Sequence, residues 1–441
     1  MDTTRNSPPS TPLLTVANSL SSGSEPLPKE TLKTLRLEEL PYDVRRPILS
    51  SVYTIADLSA LIRASPIFYR DYAVAPEKWL YHCLELELGN TIVDALTVHL
   101  ATVHPANTVV SRQHYTLDEY HRSLEDMRQF ISSYHSRVLS PIGPSSVLPN
   151  KTDIVSIVTF HCTVVMPLVF RFMEWTQGHF EGLSLSDGLS HTEMKRILRG
   201  FYRYQLFCKV FNVNCRHMQT IQPYVSADEK LEWFLGIYEP WETEEVLCVY
   251  DFVNDKYHRV LEDTRWGAAT IDSHLSPRML IVTGMSARYP QVYKTGLGSL
   301  GLTVLLNMFN AADHKTIENL VAHHIQEAWD PWVEDAVSRQ CQARRRGRVF
   351  SARDRAEVER APIPFTGDSE DSPPLAWVTI WKGTSSNRFG QWIPRSFREW
   401  GYVMWDSGRM ITAGGIAALE EKWVEVCTVP NSDFFVDPRD R

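Results

Sequence analysis

The stretch LEELPYDVRRPILSSVYTIADLSALIRASP, residues 37–66, decides how the amino-terminal part of this chain folds. Pro41 suits the first turn of a helix, where its missing N–H would have no helical partner anyway. An apolar stripe at helical spacing follows, formed by Val44, Ile48, Leu49 and Val52. Pro47 interrupts this pattern, so we expect the helix to bend there or to begin later than Leu40.

A second short helix is predicted next, with Thr54 as its N-cap and Asp57 in its first turn. Its apolar stripe consists of Ile55, Leu58, Leu61 and Ile62. Pro66 and Pro76 are each expected to open a further helix, and the last of these carries Trp79. Helices this short are not stable alone in water, so they must pack on each other, on the rest of the chain or on a partner.

From the residues alone, two interpretations stay open: a helical subdomain buried inside its own protein, or a surface for another protein's helices. The order of residues resembles an F-box, a small helical docking module, in the divergent form found in many fungal proteins. The residues that carry this resemblance are Leu40-Pro41, Ile48-Leu49, Asp57-Leu58, Leu61, Ala64-Ser65 and Trp79. The resemblance implies contact with the Skp-type linker subunit of a cullin–RING ubiquitin ligase. The residues it assigns to that contact are Leu40, Pro41, Ile48, Leu49, Leu58 and Leu61.

Three later blocks are similar to blocks shared by uncharacterised fungal F-box-like proteins. They are Arg196–Cys208, Pro240–Glu245 and Arg398–Arg409. The likeness therefore covers most of residues 37–410, but it carries little information about function.

Composition limits the classes of function. The 441 residues are 43% hydrophobic, which suffices for a sizeable core, and the formal net charge of −8 argues against a general nucleic-acid binder. The 7 cysteines are scattered and include no Cys-x-x-Cys, so we expect reduced thiols in the cytoplasm or nucleus. Residues 1–30 lack a basic region followed by an apolar one, so no signal peptide is expected.

The predicted fold is mainly α. A disordered tail at residues 1–35, rich in Ser, Thr and Pro, precedes the F-box-like helical unit at residues 36–89. A larger, irregular helical domain then spans residues 90–430, with a flexible acidic loop near residues 361–374, and residues 431–441 form a tail. Strands, if any, are expected to be short and late, with Trp377–Trp381 as the best candidate.

The most apolar run, Ile154–Phe170, is only just long enough to span a membrane, and it contains His161 and several hydroxyl residues. We therefore predict a buried central helix bent at Pro167, and no membrane contact. The literal Gly-x-Gly-x-x-Gly at Gly296–Gly301 lacks a convincing strand before it. It predicts a turn and a helix start, not a phosphate-binding loop.

No set of residues predicts catalysis, a metal or a cofactor. His323, His324 and Glu327 lack further ligands nearby, and Cys208, Cys215 and His217 do not have the spacing of a zinc site. The arginine-dense tract at residues 340–360 fits a solvated helix, with nuclear import or a nucleic-acid contact as alternatives. The tryptophans between Trp377 and Trp423 are expected to form core.

The sequence thus predicts a non-catalytic adaptor. Its F-box-like helices would dock to the Skp-type linker, and its helical domain would recruit an unknown protein target for ubiquitin transfer. The alternative is an F-box-derived structural unit in a ligand-binding or otherwise uncharacterised helical protein with no ubiquitin role.

Overall fold

The computed structural model describes residues 37–103, 117–139, 149–211, 225–270, 290–324, 332–338, 364–382 and 393–427. Within these ranges the regular structure is helical and no strand occurs, which confirms the mainly-α prediction. The predicted tails at 1–35 and 431–441 and the arginine tract at 340–360 lie outside the described residues.

The strand prediction at Trp377–Trp381 is wrong, because Leu375–Trp381 is a helix. Ala376, Trp377, Ile380 and Trp381 are its buried residues. This pattern of adjacent pairs one turn apart fits one face of a helix, whereas successive side chains of a strand alternate between two faces.

The described residues form a series of α-helices. Their bounds are α1 Tyr42–Ser50, α2 Ile55–Ala64, α3 Pro66–Ala73, α4 Pro76–Leu88, α5 Ile92–Val103, α6 Leu117–Leu139, α7 Lys151–Phe160, α8 Met166–His179, α9 His191–Val210, α10 Ala227–Trp233, α11 Pro240–Thr270, α12 Pro290–Gly298, α13 Leu302–Phe309, α14 His314–His324, α15 Val333–Ala336, α16 Leu375–Trp381, α17 Arg395–Glu399, α18 Ser407–Thr412 and α19 Gly415–Cys427. Short 3₁₀ turns lie at Leu37–Glu39, Gly89–Thr91 and Leu235–Ile237.

The centre of the fold is α9, which packs along α5 and α11 and is buried over most of its length. A capping box begins it, because the Ser190 side chain accepts a hydrogen bond from the Glu193 N–H and Glu193 accepts one from the Ser190 N–H. Gly200 lets α9 approach α11 closely: a Cβ there would lie 2.9 Å from the carbonyl oxygen of Glu245.

The first four helices form an outer layer. α1 and α2 each contact α3 and α4, and α4 in turn contacts α7 and α9. α4 therefore separates the other three helices of this layer from the rest of the molecule. The buried apolar residues of the layer belong to the same core cluster as those of the later helices, from Leu49 to Trp423. The predicted domain boundary at residue 89 stays a prediction.

α7 and α8 are joined by a π-helical turn, His161–Val165, into one long helix. Pro167, which follows the turn, has no N–H for a regular helical bond, and the widened turn accommodates it. One face packs in the core through Ile154, Ile157, Val165, Leu168 and Phe172, whereas Val155 and Phe170 are exposed on the other. The prediction of a buried helix is thus correct for one face only.

By length and composition alone, Lys151–His179 is the one described helix that could cross a membrane. Length and composition are weak evidence, because the core helix of a folded domain passes the same test. Of the most apolar window in this helix, 39% is buried inside the protein.

The glycine motif is a turn and a helix start, as predicted. α12 ends at Gly298, and Gly301, with φ +82°, precedes the first residue of α13. The N–H of Leu302, at the start of α13, donates to the Gln205 side chain at 2.7 Å, where a phosphate would have to lie. Tyr204 donates its hydroxyl to the Gly298 carbonyl at 2.9 Å. The motif therefore packs on α9.

We expect Gly200→Ala to lower the free energy of unfolding, although alanine favours a helix over glycine by about 1 kcal/mol. The new Cβ would press on the backbone of α11, which cannot move without shifting the core. Gly178 is the matched control. It also lies in a helix, α8, and a Cβ there would have no atom within 4 Å. Urea unfolding should give opposite signs for Gly200→Ala and Gly178→Ala, and equal gains would contradict the close α9–α11 contact.

Candidate protein-binding site

The structure does not bring the six predicted partner-binding residues onto one exposed face. Pro41 is exposed, and Leu40, Ile48 and Leu61 are half-buried. Leu49 and Leu58 are buried, with 0% and 1% of their surface exposed. These two side chains hold the layer together and are not available at its surface.

Other apolar side chains of the same layer are exposed instead. They are Leu37, Tyr42, Val44, Tyr69 and Val74, all at least 45% exposed. Val44 belongs to the apolar stripe of the first helix, which is buried at Leu49 but exposed at Val44. The two tyrosines and Val74 lie outside the predicted stripes. In the sequence, only the aromatic and apolar residues close to each proline indicated these three side chains.

Polar contacts fix the positions of the short helices in the outer layer. The Arg45 guanidinium on α1 binds both carboxylate oxygens of Asp71 on α3, at 2.7 and 3.2 Å. Ser65 donates its hydroxyl to Glu38 at 2.9 Å, which ties the Leu37–Glu39 turn to the start of α3. Thr54 caps α2 as predicted, accepting from the Asp57 N–H at 3.0 Å. α1 begins at Tyr42, after Leu40, and continues through Pro47.

Glu87 on α4 connects the outer layer with the inner helices. Its carboxylate accepts from the N–H of Ile55 at the start of α2, at 3.1 Å, and lies 3.3 Å from Nε2 of His161 in the π-helical turn. Nδ1 of His161 is 3.0 Å from the Tyr202 hydroxyl on α9. Nearby, the Tyr53 and His191 rings stack at 4.2 Å. The layer is thus joined to α9 through polar as well as apolar contacts.

Three arginines on successive turns of α9 lie at the centre of a buried ionic network. Arg199 binds both carboxylate oxygens of Glu245, at 2.7 and 2.6 Å, and lies 3.0 Å from Glu242. Arg203 binds Glu242 at 3.1 Å and Asp94 at 3.3 Å. It also lies 3.9 Å above the Tyr238 ring. Glu242 thus joins two arginines of α9 to α11.

The third arginine, Arg196, is fully buried and binds Asp406 at 3.1 Å. Arg398 binds the two oxygens of Glu244 at 3.0 and 3.1 Å. Charged residues of the three sequence blocks, Arg196–Cys208, Pro240–Glu245 and Arg398–Arg409, therefore pair with one another. This gives the blocks a structural role in the core.

The acidic segment 368–371 lies across α9. Glu370 binds the Lys195 ammonium at 2.9 Å and accepts from the Asn90 N–H at 3.1 Å. The carbonyls of Ser369 and Glu370 accept from Arg196 and Arg199, at 3.3 and 3.0 Å. These acids and carbonyls tie the acidic segment to α9.

Burial and neighbouring charges shift the pKa values of two acids on α11 in opposite directions. Burial disfavours the charged form of Glu242, but Arg203 and Arg199 outweigh it and lower its pKa to about 2. Burial raises the pKa of Asp251 to about 7, since Arg398 and Arg395 lie 3.8 and 4.0 Å away and compensate only in part.

Cavities among the described residues include two that are lined by arginines. One, of about 330 Å³, lies beside Arg199, Arg203 and Glu242. The other, of about 470 Å³, lies beside Ser184, Gly188 and Arg409. The arginines in both are already bound: Arg409 bonds Glu193 at 2.7 and 2.8 Å and the Gly188 carbonyl at 2.6 Å. In neither cavity, therefore, is the guanidinium of an arginine left without a carboxylate partner.

The described residues contain no group of three or more His, Cys, Asp or Glu that could hold a metal ion. Glu327, Cys215 and His217 lie outside them. Trp377, Trp381, Trp405 and Trp423 are all at most 2% exposed, so the prediction that they form core is confirmed, while Trp400 is half-buried and Trp392 is not described.

No protein-family model, no curated protein and no solved structure matches this chain. The resemblance to an F-box therefore stays a prediction.

We expect Arg199→Met to lower the free energy of unfolding by about 3–5 kcal/mol, because it leaves Glu245 buried beside Glu242 without their shared cation. Arg199→Met/Glu245→Met, which removes both charges of the pair, should recover part of this loss. The control is Arg171→Met, whose exposed pair with Glu174 should contribute at most about 1 kcal/mol. Chemical denaturation measures all three, and equal effects of the Arg199 and Arg171 variants would refute the network's role.

The raised pKa of Asp251 predicts a pH dependence of stability. Between its ordinary pKa of about 4 and its folded value of about 7, the folded state holds a proton that the unfolded state has lost. Asp251 therefore contributes stability below pH 4, and this contribution disappears as the pH rises through 7. The free energy of unfolding of Asp251→Asn, relative to that of wild type, should rise by on the order of a few kcal/mol between pH 4 and pH 8.

Glu242 should have the opposite effect on the pH dependence of stability, which Glu242→Gln tests. The lowered pKa of Glu242 means that its contribution is present above pH 4.5 and is lost on acidification toward pH 2. The free energy of unfolding of Glu242→Gln should therefore differ most from that of wild type at neutral pH. Denaturation curves recorded from pH 3 to pH 8 separate the two behaviours, and parallel profiles for both variants would rule out this assignment.

Proposed function

We propose that this chain is a non-catalytic adaptor. Its outer layer of short helices docks to a Skp-type linker subunit of a cullin–RING ligase, and its helical body recruits an unknown protein target. The proposed compartment is the cytoplasm or the nucleus, where such ligases act.

The observation that carries this proposal is the exposed apolar surface of the outer layer. Leu37, Tyr42 and Val44 lie on or next to α1, and Tyr69 and Val74 lie on or next to α3. The Arg45–Asp71 pair holds these two helices side by side. An exposed group of large apolar side chains on short, fixed helices is typical of a surface that binds another protein's helices.

The buried residues of the motif, Leu49 and Leu58, would not contact the linker in this proposal. Leu49 and Leu58 set the spacing of α1 and α2 from within. Contact with the linker would come from Pro41 and the half-buried Leu40, Ile48 and Leu61, together with the exposed side chains beside them.

The buried cysteines are not candidate nucleophiles. Cys83, Cys208 and Cys248 are buried free thiols. Burial raises the pKa of Cys83 and of Cys208 to about 12, which is the opposite of the change that activates a nucleophile.

The test is binding of the full-length chain to purified Skp-type linker, measured by calorimetry. Tyr42→Glu/Val44→Glu places two charges on the exposed surface and should weaken binding by about tenfold or more, since both side chains would lose a desolvated contact. Leu58→Asp is avoided because it would disrupt the core.

The matched control is Ile411→Glu, which charges a 63% exposed side chain on α18, outside the outer layer. It should bind the linker as wild type does. An intact, folded chain that shows no affinity for the linker removes the adaptor proposal.

The burial of Leu49 and Leu58 favours one competing function. In it, the outer layer is an F-box-derived structural unit that stabilises the body, and the protein has no ubiquitin role. Retained fold together with no linker binding by wild type would select this alternative.

A further inference from the structure

The outer face of the long helix formed by α7, the π-helical turn and α8 carries no Asp, Glu, Lys or Arg between Asp153 and Arg171. Its exposed residues are Val155, Ser156, Thr159, Cys162, Thr163 and Phe170, with Met166 half-buried among them. Val155 is 45% and Phe170 55% exposed. An uncharged stripe with large apolar side chains at both ends is unusual for a face turned to water.

The residues of this stripe are arranged symmetrically about the Cys162–Thr163 peptide bond. Val155 and Phe170 are equally far from it in sequence, and so are Thr159 and Met166. The π-helical turn, His161–Val165, also lies at this midpoint.

Two of the charges beyond the ends of the stripe follow the same symmetry. Lys151 and Glu174 are exposed, carry opposite signs and lie equally far from the midpoint. An antiparallel copy of the helix would therefore place Lys151 opposite Glu174 twice, and Val155 opposite Phe170 twice. A contact in which the same patch serves both subunits is the usual form of a two-fold dimer.

We propose that this face is a homodimer interface, on which a second copy of the chain packs its own helix antiparallel, with the two-fold axis beside Cys162 and Thr163. The stripe from Lys151 to Glu174 is about 36 Å long, at 1.5 Å per residue. The inner face stays in the core of each subunit, so pairing requires no rearrangement. The interface lies on a different helix from the linker-docking surface and does not depend on the adaptor role.

The contact that Glu174 makes within its own subunit does not prevent this pairing. Glu174 binds Arg171 at 3.1 Å, but both side chains are about half exposed or more. Such a surface pair contributes little to stability, so Glu174 can turn to Lys151 of the partner subunit at small cost.

The first test is the mass of the full-length protein in solution, followed over a concentration series by sedimentation velocity. Wild type should show a concentration-dependent dimer. Phe170→Glu should raise the dimer dissociation constant by about tenfold or more, because two charges would enter the apolar stripe. Ile411→Glu is the control and should dimerise as wild type does, because Ile411 is 63% exposed but lies on α18.

A charge exchange tests the antiparallel arrangement. Lys151→Glu and Glu174→Lys should each weaken the dimer, because like charges would then face each other twice. Lys151→Glu/Glu174→Lys should restore it. Failure of the double variant to recover would overturn the register proposed here, even if a dimer forms.

Cys162 gives an independent measurement. A short bis-maleimide should join two wild-type chains through this exposed thiol, and Cys162→Ser should remove the product. A protein that remains monomeric at all concentrations overturns the proposal. So does binding of the wild-type chain, but not of Phe170→Glu, to phosphatidylcholine vesicles without dimer formation, since the stripe would then be a membrane contact.

Discussion

The buried arginines of α9 are the constraint on which the rest of the structure depends. A guanidinium without access to water is tolerated only when carboxylates and carbonyls surround it. Arg199 and Arg203 accordingly fix the positions of α5, α11 and the acidic segment through Asp94, Glu242, Glu245 and the Glu370 carbonyl. The apolar core supplies the bulk of the stabilisation, whereas these directional bonds decide which helix lies against which.

Much of the helical structure could be predicted from the sequence because its determinants are local. Prolines at the first turn, the Thr54 cap and the recurrence of apolar residues predicted α1 to α4 correctly. The strand prediction at Trp377–Trp381 failed because β-branched and aromatic residues favour strands only where a neighbouring strand can pair with them. Here Pro373 and Pro374 open a helix that packs its tryptophans into the core.

The ion pairs could not be predicted. Arg196 and Asp406 are separated by 210 residues, and nothing local in either block selects the other among the many acids of the chain. The same limit applies to the candidate binding site. Helical spacing indicates that Val44 and Leu49 are apolar positions, but which of them faces the core depends on where α3 and α4 lie. Leu49 became core, and Val44 remained at the surface.

The acidic segment across α9 has a consequence for how this chain can vary. The backbone carbonyl oxygens of Ser369 and Glu370 accept hydrogen bonds from Arg196 and Arg199. Every amino acid has such an oxygen. An exchange of the exposed Ser369 side chain leaves that bond intact, whereas adding or deleting a single residue between Asp368 and Asp371 would carry both oxygens out of reach. Natural variants should therefore differ at position 369 and agree in the length of the segment.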